Sequence, residues 1–370
     1  MADPATVSPR PLLTLLVACL LVGMTAVLLC FGALVTTYDA AMAVPDWPAT
    51  YGHNMFLFPL ADWLGGPWDL FLEHGHRLLG AAVGLITLVL AGLVWLRPSN
   101  PAIRGLVVAA VLLVVVQGVL GGMRVLLDDK TIAKVHACTG PLFFAVATAI
   151  ATLAFRQRND PPIGAGDGAR PPRRAPSTVG PPSVLPSALP SVLPSALPSV
   201  LPSALPSWAT AGFVPPALVA AAYLQLVAGA QLRHLDATLT PTDFGWIVSF
   251  HLIGAAAVVV LAALAALAWQ PHEPPAARRW SRTILALVGC QILLGCGAWL
   301  VSYGVPAGWF QDAWTPSGPL VARSIRGALV VTGHAILGMM ILGASVVLML
   351  VWTADPSTAF AGRSMREVSA

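Results

Sequence analysis

Glu73, His74, His76 and Arg77 bring a carboxylate, two imidazoles and a guanidinium together at the start of a long apolar run. In a bilayer each charged side chain costs roughly 2.5 to 3.5 kcal/mol, so such a cluster in a membrane segment indicates a functional site. Three further histidines lie near the start of later apolar runs: His136, His251 and His334. Because neutral imidazole binds metal ions and heme iron, these three and His76, one on every second run, predict two heme sites.

Glycine recurs about one helical turn after these residues. Residues three or four apart share a helix face, and a glycine there lets a flat ring system approach the backbone. The glycines that follow the four histidines are Gly80, Gly140, Gly254 and Gly338. Three other runs carry glutamine and, four residues later, glycine: Gln117 and Gly121, Gln225 and Gly229, Gln291 and Gly295. The recurrence predicts an internal duplication of a four-helix unit.

The elements that position these residues follow from the composition. The chain has 370 residues, of which 57% are hydrophobic and 10% are charged, a balance typical of membrane proteins. Since about 20 apolar residues cross a bilayer, the sequence predicts an all-α polytopic membrane protein with eight transmembrane helices in two duplicated four-helix bundles. The predicted spans are 12–37, 76–96, 103–127, 132–155, 212–232, 246–269, 282–302 and 327–352.

Basic residues and composition breaks divide the chain. Thirteen of the 20 Lys and Arg residues fall on the side that holds both termini, which predicts cytoplasmic termini and no nucleic-acid partner. We expect an N-terminal half at 1–155 with an outer loop at 38–75, a linker at 156–211, a C-terminal half at 212–353 and a cytoplasmic tail at 354–370. The linker repeats proline every fourth residue, so we expect it to be disordered.

The outer loop is rich in aromatic residues and proline. Its prolines predict no regular helix, and its aromatics suit either a lid over an outward-facing site or an anchor in the membrane interface. The five cysteines lie in or near apolar runs without metal-ligand spacing, so we interpret them as small buried hydrophobic residues.

Two imidazoles bind one heme iron when they lie on facing helices at the same depth. The even-numbered spans all run inward, which places the four histidines within the first two turns and predicts the pairs His76 with His136 and His251 with His334. A single histidine of this kind is more often a hydrogen-bonded structural residue. A nonheme metal site is disfavoured because three of the four helices lack a nearby carboxylate.

Other polar side chains near the spans remain open to two interpretations. Glu73 shares a helix face with His76 and would accept or donate a proton, or it would simply neutralise Arg77. His74 points elsewhere and would play a supporting role. The remaining histidines, predicted in solvated loops, are His53, His234 and His272. The arginines predicted to contact either heme propionates or lipid headgroups are Arg77, Arg124, Arg233 and Arg326.

Several motifs together resemble the heme A synthase family over all eight spans. They are Met42-Ala43-Val44-Pro45-Asp46-Trp47-Pro48 with Tyr51-Gly52, Glu73-x-x-His76-Arg77, His136, Gln225, His251, and Thr332-Gly333-His334. The resemblance implies a multi-pass oxidoreductase of the bacterial cytoplasmic membrane. Such an enzyme oxidises the C8 methyl group of heme O to the formyl group of heme A, which terminal oxidases use.

The resemblance also implies roles for individual residues. His76 and His136 would face the substrate, heme O, while His251 and His334 would ligate heme b, and Glu73 would be the essential carboxylate. Heme O synthase would deliver the substrate, the electron donor is not specified, and a homo-oligomer stays open. Many members carry a cysteine pair in the first outer loop, but this chain has no cysteine between residues 38 and 75.

Two other classes of protein fit parts of the pattern. A diheme membrane cytochrome would carry electrons between quinol and a partner, but transfer across the membrane favours hemes at opposite depths. A transporter with a duplicated fold would have helices broken at the midplane, which the predicted spans do not show.

Overall fold

The computed structural model describes residues 10–96, 99–159, 207–235, 238–267, 275–303 and 324–352. Their long helices are α1 (Arg10–Thr37), α3 (Trp68–Trp95), α4 (Pro101–Leu127), α5 (Lys130–Asn159), α6 (Ser207–Arg233), α7 (Pro241–Leu267), α8 (Pro275–Tyr303) and α9 (Ile325–Trp352). At a rise of about 1.5 Å per residue each is about 40 Å long or more, which exceeds the roughly 30 Å hydrocarbon core of a bilayer. These eight helices are also apolar enough to cross a membrane, so the all-α polytopic prediction is confirmed.

The helices form two four-helix bundles. In the first, α1 contacts α3 and α5, and α4 closes the ring between them; in the second, α6 contacts α7 and α9, and α8 closes the ring. Each bundle has its own apolar core, around Leu21 and Leu90 in the first and around Leu218 and Leu342 in the second. Helices α1 and α5 of the first bundle pack against α9, and α5 also contacts α6. The helices follow the same order in both rings, which is the arrangement that a duplicated four-helix unit would have.

Large apolar side chains cover the outside of both bundles. Leu85, Leu112 and Ile253 are strongly exposed although they lie in the middle of long helices. Exposed apolar surface of this extent is unfavourable in water, whereas it is suited to contact with lipid chains.

Several helices begin earlier than the sequence predicts. Helix α3 begins at Trp68 instead of residue 76, α7 at Pro241 instead of 246, and α8 at Pro275 instead of 282. The predicted starts follow the apolar core of each run, but proline is favourable at the first helical position and polar side chains can cap the first turn. At α7, for example, Thr240 Oγ1 accepts from the Asp243 N–H at 3.2 Å.

The segment between α1 and α3 folds against one end of the first bundle, which we call the hairpin end. Strands β1 (Ala49–Thr50) and β2 (His53–Asn54) pair antiparallel around a turn in which Gly52 has φ +77°. A short helix, α2 (Leu60–Leu64), follows Pro59, so the prediction that prolines exclude regular helix here is wrong. A proline restricts only the adjacent residues, and a five-residue helix fits between Pro59 and Pro67.

The predicted linker and tail lie largely outside the described residues. Helix α5 continues to Asn159 and α6 begins at Ser207, so described helix covers both ends of the predicted 156–211 linker. Residues 160–206, residues 353–370 and His272 are not described.

Candidate functional site

The four histidines gather at the hairpin end. Helices α3, α5, α7 and α9 all begin at this end, and each carries its histidine six to ten residues after its first residue. This spacing corresponds to about 9 to 15 Å along the helix axis. The histidines therefore share a similar depth, as predicted, but they lie two to three turns inside the helices because these helices begin earlier than predicted.

The structure brings both predicted histidine pairs together. The ring centroids of His76 and His136 are 6.3 Å apart with an interplanar angle of 83°. Those of His251 and His334 are also 6.3 Å apart, at 65°. Each bundle thus holds one imidazole pair between its second and fourth helices, in the position where helix bundles hold cofactors.

The geometry of each pair fits one metal ion between two imidazoles. Two metal–nitrogen bonds of about 2 Å, each extended by about 1 Å to the ring centre, place the ring centroids about 6 Å apart. Among the described residues no three His, Cys, Asp or Glu side chains are grouped to hold a metal ion. Heme iron suits such a pair, because the porphyrin supplies its other ligands.

The hydrogen bonds of the imidazoles differ between His251 and the other three histidines. In the described part of the chain the Nδ1 atoms of His76, His136 and His334 are buried without a well-formed hydrogen bond. A structural histidine normally has such a partner, because an unsatisfied buried polar atom is unfavourable. The backbone of Leu28, Gln117 and Gln291 still makes a weak hydrogen-bond interaction with His76, His136 and His334, respectively. Because a metal-ligating histidine usually donates its second ring N–H to such a partner, the arrangement is compatible both with a ligand role and with a structural role.

Three glutamines connect the odd-numbered spans to the histidine helices. Gln225 Nε2 lies 3.1 Å from His251 Nδ1, and Gln291 Nε2 donates to the His334 backbone carbonyl at 3.0 Å. Gln117 Nε2 hydrogen-bonds Thr139 Oγ1, one turn after His136. The repeat seen in the sequence is thus a repeated contact between neighbouring helices.

The glycines that follow the histidines do not all leave open space. A Cβ at Gly254 would collide with the Gln225 amide, and one at Gly338 would lie 3.3 Å from Gln291 Nε2 and 3.0 Å from Leu226. A Cβ at Gly140 would lie 3.2 Å from Leu29, whereas one at Gly80 would meet nothing within 4 Å. The prediction of an open spot one turn after each histidine is therefore wrong for α5, α7 and α9. Side chains of other helices fill those spots, with a glutamine at Gly254 and at Gly338.

Glu73 and Arg77 form an ion pair that anchors the outer loop. The Glu73 side chain is 2% exposed and that of Arg77 is 8% exposed, with 2.9 Å between Oε1 and Nη2. Glu73 Oε2 also accepts from the Val44 N–H at 2.9 Å. Arg77 donates to the carbonyls of Val44 at 2.7 Å, Asp46 at 2.6 Å and Ala49 at 3.0 Å. Both terminal nitrogens of Arg77 donate to loop carbonyls or to Glu73. The expectation that Arg77 contacts a propionate or a headgroup is therefore wrong.

The loop closes over the hairpin end with aromatic residues. His74 Nδ1 lies 3.1 Å from Thr50 Oγ1, and the His74 ring packs against Phe58 and Trp63 at 5.1 and 5.3 Å. Trp47 lies against α4 so closely that a Cβ at Gly122 would be 2.5 Å from its indole ring. His74 therefore supports the loop and does not face the His76 pair.

Asp46 stabilises the turn of the hairpin. Its carboxylate accepts from the N–H groups of Tyr51 at 2.9 Å and Gly52 at 2.8 Å. Partial burial acts to raise the pKa of Asp46, but these two N–H groups and the positive charge of Arg77 outweigh it and hold the pKa below its ordinary value.

The other arginines predicted to contact propionates or headgroups differ in their surroundings. Arg124 Nη2 donates to the Ala41 carbonyl at 3.1 Å, and Arg233 Nη2 donates to the Ala33 carbonyl at 2.7 Å and to Thr37 Oγ1 at 2.8 Å. Thr37 Oγ1 in turn lies 3.1 Å from Thr332 Oγ1, two residues before His334. Arg326 is exposed at the start of α9. This polar network between α1, α6 and α9 has no simple sequence signal, because it joins residues almost 300 positions apart.

Two of the remaining histidines are described. His53 is exposed in the hairpin, as predicted. The prediction that His234 lies in a solvated loop is wrong. The residue is partly buried, because α6 ends against the first bundle. Its burial, together with the positive charges of Arg233, Arg124 and Lys134, lowers its pKa to about 4.

Two comparisons with known proteins bear on this site. Residues 68–178 match the family model described as cytochrome oxidase assembly protein, a segment that includes Glu73, His76 and His136. The chain is also 30% identical over 131 residues to a protein named heme A synthase from Shouchella clausii (strain KSM-K16). That similarity covers 35% of this chain and 41% of the relative's length. Over the parts of the chain that they cover, both matches agree with the resemblance that the motifs show.

Proposed function

We propose that this chain oxidises the C8 methyl group of heme O to the formyl group of heme A, with the substrate in the first bundle and heme b in the second. The proposal rests mainly on one observation. Each bundle holds two imidazoles whose ring centroids are 6.3 Å apart. The similarity to a protein named heme A synthase supports the choice of reaction.

The difference between the bundles supports the assignment of their hemes. Glu73 lies less than one helical turn before His76 and is buried beneath the outer loop. Among the described residues of the second bundle the only carboxylate is Asp243, which is exposed at the start of α7. A reaction that releases protons needs a nearby group that accepts them, so the first bundle suits the chemistry and the second suits a resident cofactor.

Each group of this chain then has a defined role. His76 and His136 orient the substrate, and His251 and His334 hold heme b. Heme b, when bound, supplies one-electron transfer. Glu73 Oε2 holds or accepts a proton, at the cost of its hydrogen bond from Val44, and the outer loop limits the access of water.

Arg124 and Arg233 are the best candidates for contact with heme propionates. Both lie at the hairpin end near the histidines, and each uses one terminal nitrogen, Nη2, in the hydrogen bonds described above. Guanidinium groups bind carboxylates strongly, and a propionate would compensate a positive charge held in apolar surroundings.

The setting of the reaction follows from the same proposal. We place both termini in the cytoplasm and the hairpin end on the outer side of a bacterial cytoplasmic membrane, in agreement with the distribution of Lys and Arg. Heme O synthase is the proposed source of the substrate.

Chromatography of the extracted hemes tests the proposal. The protein is purified after expression in cells that also make heme O. Heme A or its hydroxylated precursor, found together with heme b, would support the oxidation. Two molecules of heme b per chain and no other heme would contradict it and would favour the diheme cytochrome.

A further inference from the structure

Each of the four histidines packs its imidazole edge directly on a glycine of the helix before it in its bundle. A Cβ built on these glycines would lie 3.0 to 3.3 Å from the histidine Cε1 atom. The contacts are Gly32 with His76, Gly121 with His136, Gly229 with His251, and Gly295 with His334. We call these four residues the seat glycines.

The seat glycines repeat with the symmetry of the fold. They lie on the first and third helices of each bundle, namely α1, α4, α6 and α8, and their histidines lie on the second and fourth. Three of them are the glycines of the Gln-x-x-x-Gly pattern, whereas Gly32 is preceded at the same spacing by Leu28. The same contact therefore occurs four times on four different pairs of helices.

We propose that the seat glycines are positioning residues that set the place and tilt of the four histidine ligands. The contact itself is a property of the fold, while its consequence for heme binding rests on the proposed function. A separation of 3.0 to 3.3 Å is shorter than an ordinary carbon contact of about 3.5 to 4.0 Å, so an added methyl group would push the imidazole by a few tenths of an ångström. Metal–ligand distances tolerate only about 0.2 Å.

Other glycines in the same helices provide matched controls. A Cβ at Gly23 in α1, Gly118 in α4 or Gly289 in α8 would meet nothing within 4 Å. Alanine has a higher helix propensity than glycine, so the control substitutions add the same methyl group without a clash and without a loss of helix stability. A difference between seat and control variants thus reports the contact with histidine.

The test compares Gly295→Ala with Gly289→Ala, and Gly121→Ala with Gly118→Ala, in the full-length protein. The readouts are the heme retained per chain during dilution, the absorption and electron paramagnetic resonance spectra of the ferric low-spin heme, and the thermal unfolding temperature. We expect the seat variants to bind heme 10 to 100 times more weakly, the range for changes that disturb ligand orientation. We also expect altered low-spin spectra, with folding unaffected in the control variants.

The outcomes separate this proposal from the proposed function. Seat and control variants with equal heme retention and equal spectra would overturn the role of the seat glycines. If Gly295→Ala fails to fold, the comparison of Gly121→Ala with Gly118→Ala decides, since a Cβ at Gly121 lies farther from its histidine, at 3.2 Å, and equal spectra again overturn the proposal. Wild-type protein that holds heme b and never forms heme A would contradict the proposed function, while a spectral change confined to the seat variants would still support the seat glycines. Wild-type protein without any heme would overturn both.

Discussion

Replacement of Arg77 by lysine tests how the outer loop is held. The guanidinium makes hydrogen bonds of 2.6 to 3.0 Å to three loop carbonyls and to Glu73. A lysine ammonium is a compact donor that cannot span these separate acceptors. If two of the bonds are lost, at about 1.5 to 3 kcal/mol each for a charged donor, the closed loop is destabilised by about 3 kcal/mol or more. Because about 1.4 kcal/mol corresponds to a factor of ten, opening should increase more than a hundredfold.

Hydrogen–deuterium exchange of the purified protein measures this opening. The sensitive amides are those of Val44, Tyr51 and Gly52, which all donate to carboxylates in the closed loop. Arg326→Lys, at an exposed position, is the matched control. Exchange in Arg77→Lys that is no faster than in Arg326→Lys would refute the anchoring role of Arg77.

Two more substitutions address the charged groups around the proposed hemes. Glu73→Gln keeps an acceptor for the Val44 N–H but cannot accept a proton, so we expect heme b to be retained and heme A formation to be lost; normal heme A output would exclude the proton-transfer role. Arg233→Met removes a cation from the histidine end of the second bundle, which should favour the ferric state. We therefore expect the reduction potential of heme b to fall. If the lost interaction is about 1.4 kcal/mol, the fall is on the order of 60 mV for one electron. Redox titration measures the potential, and an unchanged value would contradict a place for Arg233 beside that heme.

The helix count and the histidine pairs could be predicted from the sequence. Apolar runs of sufficient length define membrane helices, and alternation of direction places the starts of every second helix at one end. His76, His136, His251 and His334 therefore had to lie at the same end, and their order along the chain suggested the pairs.

The contacts between helices could not be predicted in the same way. Gly32 of α1 packs against His76 of α3. Unlike the other seat glycines, it has no glutamine four residues before it. Rotation of each helix about its axis decides which residue faces the neighbour, and spacing within one helix does not fix that rotation. The contacts of Arg77 have no sequence signal either, because its carbonyl acceptors belong to a loop whose path depends on the folded bundle.

The most direct test of the central claim is the heme content of His136→Leu and His251→Leu variants, purified from cells that make heme O. If each bundle holds a different heme, His136→Leu should lose the heme O-derived hemes and keep heme b, and His251→Leu should lose heme b and keep bound heme O. Loss of the same hemes from both variants would contradict two separate sites with different occupants.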